Sequence, residues 1–196
     1  MTPAAETPDA PAPRSATDTT APWVIRRASR ADAGGVLSLF DEAIAWFASF
    51  GNEHQWGSEP WSAQERRVDT VTAACELPDA WVAEHPEHPE LGVLGALVLG
   101  APMAYAPPAT ESELYIRMLI AGRDPHARGV GRHLLSFADE RGLHEGVSSL
   151  RVDCYGGGAG DLVRFYESCG FERRNTFEVD GWPGQFLVRG LAAPAA

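Results

Sequence analysis

The sequence is poor in positive charge and in cysteine. Its 16 lysine and arginine residues stand against 27 aspartate and glutamate residues, which gives a net charge of −11 at pH 7. A surface of this sign repels nucleic acid and anionic membranes, so we expect neither as a partner. The three cysteines, Cys75, Cys154 and Cys169, contain no close pair and no metal-type spacing. This usage favours small buried thiols in a reducing cytoplasm over a disulfide framework or a metal site.

The sequence also lacks a long apolar run. The longest candidate, residues 91–105, is short and is interrupted by three glycines and a proline, so no bilayer-spanning helix is expected. Residues 1–22 are rich in alanine, proline and threonine and lack the apolar core of a secretory signal, which predicts a disordered leader. Because 44% of the residues are hydrophobic, we predict one domain over 23–191 with a short tail over 192–196.

Hydrophobic periodicity and turn residues predict helices and strands in an irregular order. Two helices, at about 32–50 and 62–75, precede the main sheet. We predict strands at 23–27, 80–84, 91–99, 113–121, 147–155, 171–179 and 185–189, and further helices at 131–141 and 161–169. This order does not suit a doubly wound sheet, and no internal repeat is apparent. We therefore expect a mixed sheet with helices on both faces.

A basic bend between a predicted strand and a predicted helix is the most informative feature. The strand-like run 115–121 leads to Arg128-Gly129-Val130-Gly131-Arg132, which opens an amphipathic helix. Residues 117–133 carry four arginines against one aspartate, a net charge of +3 with the histidines neutral. Backbone N–H groups at a helix start, the helix dipole and guanidinium groups all favour the same anion, and a diphosphate fits. The alternative is a solvated basic helix end.

Two common nucleotide-binding motifs do not fit this bend. Gly131 is followed by Arg132 and His133, where a P-loop has lysine and a hydroxyl residue for magnesium. A dinucleotide-binding fingerprint would need a third glycine at Leu134. Neither class of nucleotide enzyme is therefore expected.

Three motifs follow one another in a fixed order along the chain. They are the Arg-Gly-Val-Gly bend, the glycine-rich run 156–160, and Phe165-Tyr166-Glu167-Ser168-Cys169-Gly170-Phe171. This order resembles the GNAT superfamily of acetyl-CoA-dependent N-acetyltransferases, over about residues 23–191. The resemblance implies an α/β (α+β) fold with a mixed, mostly antiparallel central sheet of about six to seven strands. It also implies direct transfer of acetyl from acetyl-CoA to a primary amine of a small molecule or peptide.

The resemblance assigns the cofactor to two backbone segments. The loop around the bend would wrap the diphosphate of coenzyme A, and glycines allow the close approach that this requires. The residues of this loop are His126, Arg128, Gly129, Val130, Gly131 and Arg132. The family usually has arginine or glutamine at the position of His126, and Arg128 and Arg132 are candidates to compensate. The backbone of Leu119, Ile120 and Ala121 would bond the pantetheine arm.

Two side chains are predicted to move protons. Tyr166 matches the family tyrosine that lies near the thioester sulfur, where a phenol can protonate the departing thiolate. The alternative is a packed aromatic residue beside Phe165. An amine acceptor arrives mostly as an ammonium and needs a base, for which Glu111 and Glu113 are candidates and Glu113 is preferred. The alternative for Glu113 is a solvated strand start.

The acceptor site is predicted in the first two helices and their loop. Trp46, Trp56 and Trp61 accompany Glu53, His54 and Glu59 there, and aromatic rings beside carboxylates can hold a cation. We take Trp56 and Glu53 as the acceptor-binding residues, and the alternative is that the tryptophans are core anchors. Two further alternatives stay open: a non-catalytic acyl-CoA-binding regulatory module, and a homodimer.

Overall fold

The computed structural model describes residues 22–49, 51–52 and 55–191. The described part contains seven strands: β1 (Val24–Arg27), β2 (Ala80–Glu84), β3 (Gly95–Gly100), β4 (Glu113–Ala121), β5 (Ser149–Tyr155), β6 (Glu172–Val179) and β7 (Trp182–Gly190). Its α-helices are α1 (Ala33–Ala48), α2 (Glu65–Cys75), α3 (Val130–Glu145) and α4 (Asp161–Ser168). None of these helices combines the length and the apolarity that crossing a membrane requires.

The strands form one mixed sheet in the order β1-β2-β3-β4-β5-β7-β6. Only the β4–β5 pair is parallel, and the other neighbours are antiparallel. One apolar cluster packs α1 and α2 against the sheet, and a second packs α3 and α4 against it. The predicted α/β fold, with a mostly antiparallel sheet and helices on both faces, is confirmed.

Helix α3 is longer than its sequence pattern indicates. The stop predicted at Gly142 lies inside the helix, which continues to Glu145 and ends at Gly146 in the left-handed conformation (φ 71°). Gly142 serves packing instead, because a Cβ there would lie 2.5 Å from the side chain of Leu191. The sequence alone does not distinguish a glycine that lets another residue pack closely against a helix from a glycine that ends the helix.

The two central strands part half-way along their length. Pairing of β4 with β5 runs from Glu113 opposite Ser149 to Ile116 opposite Val152, although both strands continue beyond these residues. On its other side β4 stays paired with β3 up to Ala121, with one extra residue, Arg117, in a β-bulge. The sheet is therefore closed at one end of the β4–β5 pair and open at the other.

Candidate active site

A cavity of about 500 Å³ lies at the open end of the β4–β5 pair. Its walls come from β4, β5, α1, α2, α4 and the loop between α1 and α2. Aromatic side chains dominate the lining: Phe40, Phe47, Trp56, Trp61, Tyr155, Phe165, Tyr166 and Trp182. The predicted cofactor segment 119–121 and Gly131 also line it. A cavity of this size and character is typical of a small-molecule site.

The predicted diphosphate loop is exposed at its apex. Gly129 is the N-cap residue of α3 with φ 100°, a left-handed conformation that favours glycine. The first hydrogen bond of this helix is donated by His133 N to Gly129 O at 3.1 Å. The N–H groups just before it are left for a ligand or for water. Arg128 and Gly129 are exposed, so this turn is accessible to an anion.

Trp23 supports the loop from beneath. Its indole Nε1 donates to the His126 carbonyl oxygen at 2.8 Å, and its ring lies 3.2 Å from where a Cβ on Gly129 would stand. The His126 ring contacts the Asp124 carboxylate at 2.8 Å. His126 therefore contributes to the geometry of the turn, and its side chain is already engaged.

The arginines predicted to compensate for His126 lie in different environments. Arg132 donates to the backbone oxygen of Ser168 at 3.1 Å and to its hydroxyl at 2.8 Å, which ties α3 to α4. Arg128 is exposed. Arg128 is thus the better placed of the two to reach a phosphate, and Arg132 serves the junction of the two helices.

Tyr166 lies on α4 with its side chain 4% exposed. Its ring packs against Phe165 and Phe171 with centroids 5.3 and 5.4 Å apart, and the residue lines the main cavity. Within the described residues its hydroxyl makes no hydrogen bond. Burial raises the pKa of Tyr166, so the phenol keeps its proton at neutral pH. Tyr166 is therefore a packed residue that also lines the cavity, and its role as proton donor stays a prediction.

Glu113, the predicted base, lines another cavity. This second cavity, of about 260 Å³, lies at the closed end of the β4–β5 pair. The Glu113 carboxylate forms a 2.7 Å ion pair with Arg151, and both side chains are largely buried. Burial raises the pKa of Glu113, and Arg151 acts in the opposite direction. The geometry therefore separates Glu113 from Tyr166, and we no longer assign it as the base. Glu111 is exposed near Ser148 and does not line the main cavity.

Asp153 is the carboxylate that the described structure brings into the main cavity. It lies on β5 and accepts hydrogen bonds from the hydroxyls of Tyr115 and Tyr105, the latter at 3.0 Å. Burial raises the pKa of both tyrosines, and the neighbouring Asp153 raises it further. Strand alternation puts Arg151, Asp153 and Tyr155 on one face of β5. This alternation is the sequence pattern from which Asp153 could have been found as a candidate site residue.

The acceptor-binding predictions have mixed outcomes. Trp56 lines the cavity and also packs against Phe40, Phe47 and Trp61 at centroid distances of 5.3, 5.6 and 5.7 Å, so its core and binding interpretations are compatible. Glu53 and His54 lie outside the described residues. Glu59 is exposed and away from the cavity lining. Trp46 is 44% exposed and is not part of the core.

Residues 39–171 match the family model described as the acetyltransferase (GNAT) family. The chain belongs to this family. It is therefore an acetyltransferase, and acetyl-CoA is its cofactor. No curated protein matches the chain in sequence.

Solved structures share the fold of this GNAT acetyltransferase. A GNAT-family acetyltransferase from Listeria monocytogenes 4b F2365 is 18% identical with a TM-score of 0.62, covering 86% of this chain and 95% of its own. An N-acetyltransferase from Staphylococcus aureus Mu50 is 17% identical with a TM-score of 0.60, covering 87% and 99%. The yncA protein from Salmonella typhimurium, solved with its cofactor acetyl-CoA, is 18% identical with a TM-score of 0.56, covering 89% and 97%.

The site fits acetyl-CoA on three structural grounds. The parted strands leave the β5-facing edge of residues 117–121 unpaired by β5, which suits an extended arm with amide groups. The exposed turn at Gly129 offers N–H groups at a helix start to a diphosphate. The cavity at Tyr166 connects with the same backbone segment. These are the residues that would hold the cofactor.

Proposed function

We propose that this acetyltransferase is an N-acetyltransferase that transfers acetyl directly to a primary amine of a small molecule or peptide. The observation that carries the proposal is that Tyr166 and Asp153 line one cavity at the open end of the β4–β5 pair. One residue is a protonated phenol and the other is a carboxylate, which are the two proton-handling groups that amine acylation needs. Acetyl-CoA supplies the acetyl group as an activated thioester.

Asp153 takes the role of proton acceptor for the incoming ammonium. Its hydrogen-bond donors, Tyr105 and Tyr115, are uncharged hydroxyls. No cation lies within ion-pair distance of its carboxylate in the described structure. The negative charge of a carboxylate without a paired cation attracts an ammonium. Its proton acceptance, directly or through a water, leaves the amine lone pair free to attack.

Tyr166 takes the role of proton donor. Its hydroxyl has no competing partner among the described residues, and burial raises its pKa, so the phenol carries its proton when the cofactor binds. The same burial disfavours a charged thiolate, so the departing sulfur gains by taking up a proton. The phenol then gives its proton to sulfur, and this positioned donor is expected to contribute about 10²–10⁴-fold to the rate.

The cysteines support a direct transfer without an acyl-enzyme. Cys154 lines the main cavity, but burial raises the pKa of its thiol to about 12. Because the thiolate is the nucleophilic form, a thiol with this pKa is almost wholly unreactive at neutral pH. The acceptor amine itself is therefore the proposed nucleophile.

The free cysteines also support a location and a domain extent. All three are unpaired, which suits the reducing cytoplasm that we propose for this protein. We further propose that residues 23–191 act as one acetyltransferase domain. Limited proteolysis with mass spectrometry would locate the stable fragment.

The proposed function is tested with acetyl-CoA and a broad panel of primary amines. Amine-dependent release of free thiol, with an N-acetylated product found by mass spectrometry, is the expected result. A folded protein that binds acetyl-CoA in calorimetry and acetylates no amine would overturn the proposal. That outcome would support the non-catalytic acyl-CoA-binding module instead.

A further inference from the structure

We infer that the amine acceptor also carries an anionic group, such as the carboxylate of an amino acid. This inference rests on the proposed N-acetyltransferase function and narrows its substrate class. It starts from the charged side chains that line the main cavity, which are Arg67, Arg117, Arg123 and Asp153. Three positive charges against one negative charge leave this lining at +2, inside a protein whose net charge is −11.

The arginines of the cavity lack carboxylate partners. None of the three guanidinium groups forms an ion pair with a carboxylate within 4.0 Å in the described part of the chain, although the Arg123 backbone N–H donates to Glu42 at 3.4 Å. Arg67 lies over the ring of Trp61 with its guanidinium carbon 4.3 Å from the centroid. Arg117 donates from Nη1 to the Ala101 carbonyl oxygen at 3.0 Å. These contacts hold the guanidinium groups in place and leave several of their five N–H donors for a ligand.

Two of these arginines lie away from the diphosphate loop. Arg67 stands on α2, and Arg117 is the bulge residue of β4. Arg123 lies just before the loop and stacks on Trp46 at 3.5 Å, so the inference rests on Arg67 and Arg117. The loop brings Arg128 of its own for phosphate. The positive charges of Arg67 and Arg117 are therefore available to an anionic group of the amine acceptor.

An acceptor with both charges matches this arrangement. Its ammonium is attracted to Asp153, and its anion can accept charge-assisted hydrogen bonds from Arg67 and Arg117. The remaining wall is aromatic and aliphatic and accommodates an apolar side chain. A polyamine would bring excess positive charge towards unpaired arginines, which disfavours it. The geometry points to an amino-acid-like amine with an apolar side chain.

Matched acceptor sets test this inference. Each set contains an amino acid, its carboxamide and the decarboxylated amine, for example L-phenylalanine, L-phenylalaninamide and phenethylamine, with a second set based on L-leucine. Spermidine is the polycationic member. We expect kcat/KM to be higher for the free carboxylate by about 10-fold or more, as one charge-assisted hydrogen bond would give. Binding of the amino acid to protein saturated with coenzyme A, measured by calorimetry, gives a readout without turnover.

A pair of neighbouring arginines on α2 provides the variants. Arg67→Gln is expected to raise KM for the amino acid by about 10-fold and to leave KM for its carboxamide and for acetyl-CoA unchanged. Arg66→Gln is the matched control, because Arg66 is exposed on the same helix and does not line the cavity. We expect this control to behave as the parent protein does.

The outcomes separate the two proposals. Equal or faster turnover of the carboxamide, the simple amine or spermidine would overturn the anionic acceptor and leave the N-acetyltransferase function intact. A rise in KM for acetyl-CoA in Arg67→Gln, with no change for the amino acid, would assign the arginine to the cofactor and also overturn the inference. Acetylation of no member of these sets by protein that acetylates other amines would overturn the inference alone, and acetylation of no amine in the broad panel either would overturn both proposals.

Discussion

The two ends of the β4–β5 pair use similar residues for different purposes. At the closed end, Glu113 of β4 and Arg151 of β5 neutralise each other in a buried ion pair. At the open end, two residues further along β5, Asp153 faces a cavity and, among the described residues, accepts hydrogen bonds only from tyrosine hydroxyls. Both carboxylates, Glu113 and Asp153, belong to the two central strands of the sheet. The difference teaches that the length over which two strands stay paired decides whether a charged group stabilises the sheet or meets a ligand.

At the closed end Arg151 borders the second cavity and is held by neighbours on its other sides. Its guanidinium carbon lies 5.2 and 5.7 Å from the ring centroids of Tyr115 and Phe186, and Nη1 donates to the Pro107 carbonyl oxygen at 2.9 Å. Partners on several sides leave this arginine little freedom. The open end differs. Among the described residues, no cation forms an ion pair with Asp153, and the Tyr166 hydroxyl makes no hydrogen bond.

The largest expected effect is on Tyr166. In Tyr166→Phe we expect kcat to fall by about 10²-fold or more, because the proton donor is lost. Acetyl-CoA binding and the melting temperature should stay near those of the parent, since the hydroxyl makes no hydrogen bond among the described residues. Steady-state kinetics, calorimetry and thermal denaturation measure the three quantities. Equal turnover of the two proteins would contradict the proton-donor role.

A substitution at the closed end should lower the free energy of unfolding and leave the catalytic rate unchanged. In Arg151→Met we expect a loss of about 3–5 kcal/mol in the free energy of unfolding, because Glu113 is left buried without its cation. Acetyl-CoA turnover per folded molecule should be close to that of the parent. Urea denaturation and kinetics on the folded fraction check both statements.

The same variant has a defined pH dependence. Without Arg151, burial raises the pKa of Glu113 further above its ordinary value of about 4.3. Folded protein then binds the proton more tightly than unfolded protein, so stability is highest below that ordinary value and falls as the pH rises through the raised pKa. Urea denaturation should therefore show a larger deficit at pH 8 than at pH 5. A deficit independent of pH would indicate lost packing alone.

The two carboxylates of the comparison can be exchanged for amides one at a time. Asp153→Asn is expected to lower kcat near neutral pH by about 10–100-fold and to make activity rise more steeply with pH, because only amine already deprotonated can react. Glu113→Gln is the matched variant at the closed end, and we expect its kcat to differ from the parent by less than about twofold, within the range of substitutions remote from chemistry. A reversed order of the two effects would restore Glu113 as the base.

The cofactor loop is expected to show a smaller effect than Tyr166 or Asp153. Gly129→Ala and Gly146→Ala each place a Cβ on a left-handed residue at one end of α3, and each should destabilise the protein by about 1–2 kcal/mol. Only Gly129→Ala should also weaken acetyl-CoA binding, by roughly fivefold or about 1 kcal/mol, through displacement of the helix-start N–H groups. Calorimetry on both variants checks this. Equal weakening in the two would argue against the loop as the diphosphate site.

Local pattern and motif order were sufficient for the fold, and two residues that they singled out, Gly131 and Tyr166, line the main cavity. The contacts of Gly129, Gly131 and Tyr166 with the cofactor stay a prediction. The choice of Glu113 as base, which stays untested, is not favoured by its position outside the main cavity, and this has a physical reason. Strand alternation gives the face on which a side chain lies but not the point at which two neighbouring strands part, and that point is a tertiary property.

The acceptor side was less predictable for the same reason. Trp46 shares a helix with apolar residues, yet it is on the surface beneath the Arg123 guanidinium. Arg67 and Arg117 are far apart in sequence, and they line one cavity only because α2 and β4 both border it. Charge content along the chain did not reveal this convergence.

The bulge at Arg117 makes the length of β4 a functional constraint. Before it, Leu114 and Ile116 pack towards α3, and after it Leu119 and Ala121 do so, three residues beyond Ile116 instead of two. Removal of one residue here would restore strict alternation, and the side chains in the final third of the strand would then lie on the opposite face of the sheet. We therefore expect this segment to tolerate many substitutions but no insertion or deletion. A shift of one residue along the strand would exchange the side chains that face the acceptor with those that face the helices.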